Sequence, residues 1–171
     1  VAAAEPANHL KIGVLEKQGI IGGTINSTTG GINAAETDIQ KELGIEDSKQ
    51  LFYDDIMKGG KYENIPSLVE NLVEHAPVTI SWLTGLGADL SDVGLMGGSS
   101  VKRTHRPKGG SAIGPHLMKV LNNATTKKTM VSTNRHIEIR TSNKVLNLLS
   151  AVDGSVTGVK VQNANGSTYS L

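Results

Sequence analysis

Residues 10–31 read LKIGVLEKQGIIGGTINSTTGG, and the way this stretch divides decides the fold. The run Leu10 to Leu15 is mostly apolar and too short for a helix. That predicts a strand of the kind buried inside a parallel sheet, where alternation is weak. It stops at Glu16, and two glycine pairs follow, Gly22-Gly23 and Gly30-Gly31. A parallel strand ending in a carboxylate places an acceptor at the carboxyl edge of the sheet, where both hydroxyls of an adenosine ribose can donate to it. Glycines beyond it let backbone N–H groups approach a pyrophosphate or a flat ring closely, and allow positive φ without strain. This order is what a dinucleotide site needs, with Glu16 as the ribose anchor. An ordinary strand ending on a solvated glutamate and running into a glycine-rich loop fits the same letters.

Working outward, Asn33 to Leu43 reads as a helix started near Asn33 and stopped at Gly44. Asp47 to Lys58 reads as a second, with Asp47 or Ser48 as cap and Gly59-Gly60 as terminator. From Ile65 through Leu86, apolar residues recur at helical spacing, at Leu68, Val69, Leu72, Val73, Ile80, Leu83 and Leu86. Pro77 interrupts them. It removes an N–H and disfavours helix in the residues before it, so a kink or two helices are expected. A glycine-rich, basic, irregular stretch spans Gly94 to Gly114, and a helix follows from about Pro115 to Lys127, since a first-turn proline costs little. The remainder, Ile137 to Leu171, is strand-rich. Ile137 to Arg140 alternates, Lys144 to Ala151 is apolar and β-prone, and Val156 to Val161 alternates again. Asp153-Gly154 and Asn165-Gly166 read as hairpin turns, which makes this tail a β-meander.

With 171 residues the chain can support one domain with a real core, on the usual scale of roughly 100–200 residues per domain. The formal net charge of +1 provides no field that would draw nucleic acid or an anionic membrane. The absence of cysteine excludes disulfides, thiolate metal sites and a cysteine nucleophile. No apolar run approaches the roughly 20 residues of a membrane span, and no signal-peptide pattern is visible. A soluble chain is expected, with cytoplasm favoured over periplasm and the compartment otherwise open.

Lys102, Arg103, His105, Arg106 and Lys108 form a basic cluster between Gly97-Gly98 and Gly109-Gly110. Guanidinium groups bind carboxylates and phosphates bidentately, so the cluster could neutralise a pyrophosphate or attract a dicarboxylate; a solvated surface loop is the other reading. The five histidines, His9, His75, His105, His116 and His136, lack metal-ligand spacing. His116, on the first turn of a helix, reads as a partly buried structural residue. No G-x-S-x-G elbow presents a serine nucleophile. Asp54 and Asp55 are adjacent on a helix and point roughly 100° apart, so they form no acid/base dyad and read as solvated.

The run LEK-QGII-GGTINSTTGGINAAET, residues 15–37, resembles the second segment of the flavin domain in the soluble fumarate reductase and flavocytochrome c flavoprotein family. DDIMKGG, SWLTGLGADLSDVG, GGSSVKRTHRPKGG and VTGVKV follow in that family's order and at about its spacing, so the resemblance spans nearly the whole chain. It implies an α/β fold: a partial Rossmann-like FAD-binding domain with a helical insertion and a C-terminal β-meander, and FAD as cofactor. It further implies that VAAAEPA, residues 1–7, is the tail of the first dinucleotide-binding helix. Residues 1–171 are then expected to form a single incomplete FAD-binding domain, without the family's G-x-G-x-x-G strand and turn, its clamp domain or its catalytic Arg and His segments. No catalytic residue is assigned, and the chain alone is expected to be inactive.

Residue by residue, Glu16 matches the family's ribose ligand, and Gly22, Gly23 and Thr24 match its flavin loop. Thr24 stands where relatives often carry Asn, so a hydroxyl donor replaces an amide. Thr29, Gly30 and Gly31 match the residues under the isoalloxazine, and the backbone of this loop in relatives, here Gly30 and Gly31, also touches substrate. Val145 matches a strand residue whose main chain contacts adenine. The implied chemistry is hydride transfer from flavin N5 to an unsaturated dicarboxylate such as fumarate, with a proton supplied by an arginine elsewhere in the protein. Relatives reduce other unsaturated acids, such as urocanate. A reading from another class stands beside this one: a non-catalytic nucleotide-fold module whose open sheet edge pairs with a second copy to give a homodimer.

Overall fold

The computed structural model describes residues 11–131 and 136–171, so the expectations for VAAAEPA, His9 and Leu10 lie outside the described residues. The opening apolar run forms β1 (Lys11–Leu15), which pairs in parallel with β5 (His136–Arg140), Lys11 opposite His136 and Leu15 opposite Arg140. The described residues fall into two compact units, one of residues up to Asn26 and from Leu121 onward, the other of Ser27–Val120.

The first unit holds β1 and β5 and an antiparallel meander of β6 (Lys144–Ser150), β7 (Val156–Gln162) and β8 (Thr168–Ser170), in the order β6-β7-β8. The expected turns close it. Gly154 and Gly166 adopt φ of 84° and 86°, a region that only glycine occupies without strain. Asp153 and Asn165 each accept the N–H two residues on, from Ser155 and Ser167, the local bond that makes Asx residues good turn formers. The register slips between Val145 and Asn147, a bulge. Val161, on the central strand, is fully buried.

The second unit carries β2 (Ile32–Asn33), α1 (Asp38–Glu42), α2 (Lys49–Gly59), α3 (Pro66–Gly85), β3 (Asp92–Gly94), β4 (Thr104–Arg106) and the start of α4 (Ile113–Val131). Its small antiparallel sheet has the order β2-β4-β3. The apolar core is built from Phe52 and Met57 of α2, Val69, Val73, Ala76, Ile80 and Leu83 of α3, and Leu90, Val93 and Ile113.

The meander takes up only β6–β8, since Ile137–Arg140, read as its first strand, pairs in parallel with β1 instead. Three further elements depart from the sequence reading. The first helix does not start near Asn33. Ile32 and Asn33 pair with His105 and Thr104, and Ala34 N–H donates to Arg103 O, so this segment is taken up by the sheet. The helix instead begins after Thr37, whose hydroxyl accepts Gln40 N–H while Gln40 Oε1 accepts Thr37 N–H, a reciprocal capping box. Gly44 terminates it as expected, at φ 66°. The second departure is α3, one continuous element with Pro77 inside it. A mid-helix proline costs roughly 3 kcal/mol, but the buried stripe Val69, Val73, Ala76, Ile80, Leu83 keeps its three-four spacing across it. Each large apolar side chain in such a stripe contributes about 1.5–3 kcal/mol on burial, so packing on both sides outweighs the break. The third is the stretch Gly94 to Gly114, which contains β4 and is not irregular throughout. The second helix agrees with expectation, capped by Ser48, which accepts Leu51 N–H, and closed at Gly60. α4 starts two residues before Pro115, leaving the proline in the first turn.

Candidate functional site

Glu16 directly follows β1, and its position is fixed from both sides by backbone. Its N–H donates to Arg140 O (2.9 Å), its carbonyl accepts Asn143 N–H (2.9 Å), and Gln18 O accepts Ser142 N–H (2.8 Å). The turn after β5 thereby holds the strand end in place. The carboxylate is half-buried; Oε1 accepts Gln18 N–H at 2.7 Å. Oε2 makes no hydrogen bond among the described residues and keeps its lone pairs for another donor.

The loop that follows is folded on itself. Asn26 Nδ2 donates to Ile21 O (2.8 Å) and Ile25 N–H to Gly22 O (3.0 Å), which closes a 3-10 turn over Gly23–Ser27. Gly22 and Gly23 take φ of 106° and 50°. A Cβ built on Gly23 would meet no protein atom within 4 Å, so the space in front of this backbone is open. Val145 lies on β6 beside the bulge and is 41% exposed, opposite Val161.

In the second unit, Gly30 likewise has open space where a Cβ would stand, whereas Gly31 does not. A Cβ on Gly31 would lie 2.6 Å from Arg106 Cγ, from His105 O and from Thr104 Cγ2. The missing side chain at 31 is therefore what lets this loop lie flat on β4. Gly114 N–H, in the first turn of α4, donates to Thr28 O at 3.0 Å, and so anchors the loop from a second element.

The basic cluster separates into residues of different kinds. Arg103 is fully buried. Its Nη2 lies 2.9 Å from Asp47 Oδ1 and its Nη1 3.0 Å from Asp55 Oδ2, while Cζ stands 4.8 Å from the centre of the Phe52 ring. This corrects both the solvated-loop reading and the anion-binding reading for Arg103, whose charge is consumed inside the protein. It corrects the reading of Asp55 as well. Asp55 faces Arg103 and accepts Ser100 N–H and Oγ–H, while Asp54 is exposed as expected. Burial raises the Asp55 carboxyl, but the Ser100 hydroxyl and N–H, with Arg103 behind them, bring it below the usual carboxylate range.

His105 is buried as well. Its Nδ1 faces the carbonyls of Arg103 (2.9 Å) and Ile32 (3.3 Å), which can only accept, so Nδ1 carries the proton and Nε2 takes the Thr37 hydroxyl at 2.8 Å. Burial depresses the imidazole below its ordinary value, more strongly than the two carbonyls and Asp47 raise it. Together with the Thr104 hydroxyl, which donates to Asn33 Oδ1, these groups tie β2 and α1 to β4. Composition pointed to the charges; their partners, some 50 to 70 residues away, carry no local signal. His116, half-buried, accepts Asp89 N–H at 3.0 Å, in keeping with its structural reading. Among the described residues, no group of three His, Cys, Asp or Glu could hold a metal ion.

Two clefts, of about 410 and 580 Å³, lie in the helical unit, the first lined by Lys49, Tyr53, Glu70 and Glu74, the second by Glu36, Gln40 and Asp47. Neither is lined by a residue of the predicted site.

Comparison with known proteins supplies the context for this geometry. Residues 1–170 match the family described as an FAD binding domain. The chain is 41% identical over 152 residues to a fumarate reductase (cytochrome) of Shewanella frigidimarina, covering 89% of this chain and 25% of that protein. It is 30% identical over 172 residues to a urocanate reductase of Eggerthella lenta, covering 99% of this chain and 27% of that protein. Among solved structures, the open conformation of a flavocytochrome c3 fumarate reductase superposes with a TM-score of 0.73 at 29% identity, covering 99% of this chain and 33% of that one. The chain thus spans about a quarter of the length of the curated relatives it matches.

Proposed function

The chain belongs to the FAD binding domain family of the fumarate reductase flavoproteins, and from that premise we propose that the protein carrying it is an FAD-dependent oxidoreductase that reduces an unsaturated carboxylate. FAD, when bound, supplies hydride transfer from flavin N5 to the activated alkene. The chain's own task is to hold the cofactor. Its residues fit that group: a strand-end carboxylate with one oxygen uncommitted, two positive-φ glycines after it, and open space over Gly23 and Gly30.

Glu16 is the observation that carries this reading. Its backbone is held by two hydrogen bonds from the end of β5 and the turn after it, and its Oε1 by Gln18 N–H, so its carboxylate is positioned before any ligand arrives, which lowers the ordering cost of binding. In this proposal Glu16 takes the ribose hydroxyls and the backbone of Gly22, Gly23 and Thr24 follows the pyrophosphate. Thr29, Gly30 and Gly31 underlie the ring system, with Gly30 and Gly31 also contacting substrate, and the main chain of Val145 meets adenine. Residues 1–171 are then part of one FAD-binding domain.

Fumarate is the proposed acceptor because the fumarate reductase match is closer than the urocanate reductase match, 41% against 30% identity. The test is the full-length protein with Glu16→Gln. Losing a charge-assisted pair of hydrogen bonds, at about 1.5–3 kcal/mol, is expected to weaken FAD binding roughly 10- to 150-fold. Thermal stability of the apoprotein should be unchanged. Wild-type affinity in the variant, or a wild-type protein without the visible absorption of flavin, overturns the reading.

A further inference from the structure

Arg106 differs from its neighbour Arg103 in one respect that bears on ligands: it has no partner. Both arginines keep a buried Nε without an acceptor, but Arg103 is matched by two carboxylates, whereas Arg106 makes no ion pair or hydrogen bond among the described residues. An orphaned buried donor on a charged group is costly unless something accepts from it. The site around it is shaped for the guanidinium. A Cβ on Gly94 would fall 2.8 Å from Arg106 Nη2, and one on Gly110 would fall 3.7 Å from Cζ, Nη1 and Nη2, so the planar group lies against two glycines, on β3 and at the end of the 3-10 turn Lys108–Gly110.

Its stem passes over Gly31. A Cβ on Gly31 would stand 2.6 Å from Arg106 Cγ. The first turn of α4, whose N–H groups form the positive end of the helix dipole, also bonds this loop through Gly114 and Thr28. A planar cation, uncommitted and half-exposed, held against Gly94 and Gly110 with its stem on Gly31, is matched by a small planar anion.

We propose that Arg106 is a substrate-binding residue, taking a carboxylate of the small-molecule acid at the edge of the Gly30-Gly31 loop. The inference deepens the function proposed above and rests on it for the identity of the acid.

The experiment is calorimetric titration of the full-length, FAD-loaded protein with succinate, a saturated dicarboxylate that binds without accepting hydride, alongside flavin content from visible absorption. Arg106→Gln is expected to weaken succinate binding roughly 10- to 100-fold with flavin content unchanged. Arg106→Lys, which keeps charge and loses the bidentate fork, is expected to fall between. Gly94→Ala displaces the guanidinium without removing it, and is expected to weaken binding several-fold; these two variants carry the test if Arg106→Gln does not fold. Succinate affinity within twofold of wild type in the folded variants overturns the inference, as does a flavin-loaded wild type that fails to bind succinate. A colourless protein that still binds succinate through Arg106 supports the carboxylate site and overturns the flavin reading alone.

Discussion

At the scale of single residues, the second unit is organised by buried polar groups more than its composition implies. Arg103, Asp47 and Asp55 form a charge cluster in which each member is desolvated, an arrangement that stabilises little by itself but becomes strongly unfavourable when one member is missing. His105 extends the cluster to β2 and α1, and gives it a pH signature. Its folded-state pKa lies below the ordinary 6.5, so between the two values the unfolded chain binds more protons than the folded one. Stability contributed by neutral His105 is therefore complete above about pH 6.5 and declines as pH falls through the depressed value. Urea unfolding should show a flat midpoint from pH 8 to 7 and a falling one below 6.5, and His105→Gln should flatten that limb. A variant that retains the full acid slope would assign it to other groups. The carboxyls of Asp55 and Asp89, held below their usual range, add their losses only at lower pH. The sequence showed the cationic cluster but not how it divides. Arg103 and Arg106 are three letters apart in one motif, and what distinguishes them is a pair of aspartates far back in the chain.

At the scale of elements, legibility followed the range of the interactions. The meander was readable because alternation and the Asp-Gly and Asn-Gly turns are local, and α2 because Ser48 and Gly60 mark its ends. The sheet β2-β4-β3 was not, since strands of two or three residues are too short to show a period and Ile32 finds His105 across 73 positions. The true start of α1 does carry a local signal: Thr37 and Gln40 have the spacing of a capping box, a stronger start than Asn33 offers. Pro77 shows the opposite error, a correct local penalty overruled by packing. That balance makes a prediction. Pro77→Ala restores an N–H to the helix interior and removes the ring's clash with the carbonyl four residues earlier. Against this, the unfolded chain regains the entropy proline withheld, about 0.4–1 kcal/mol. With roughly 3 kcal/mol recovered, a net gain of about 2 kcal/mol in denaturant unfolding is expected. No gain would mean that the helix has already relieved the strain, for instance through the Thr79 hydroxyl bond to His75 O and the Ser81 hydroxyl bond to Pro77 O.

At the scale of the whole molecule, the division into two units was not legible, because no linker composition marks the boundaries after Asn26 and after Val120. The units differ in how much apolar surface they bury. In the unit of residues 27–120, the α3 stripe, Phe52, Leu90 and Ile113 are all within a few per cent of full burial. In the meander, Val161 is buried, but Leu148 and Val156 are 63% and 60% exposed. Among the described residues no helix is long and apolar enough to cross a membrane. Burial of apolar area, at about 25 cal/mol per Å², is the main local contribution to opening free energy. Two tiers of protection should follow in native-state hydrogen exchange of the isolated chain. The amides of Thr104, His105, Ile80 and Leu83 should open only with global unfolding. Those of Leu146 and Leu148 should open at lower free energy, with Val161 above its neighbours because it lies on the central strand. Equal protection in both groups would show that the chain unfolds as one cooperative body, and that the exposed face of the meander costs the fold nothing.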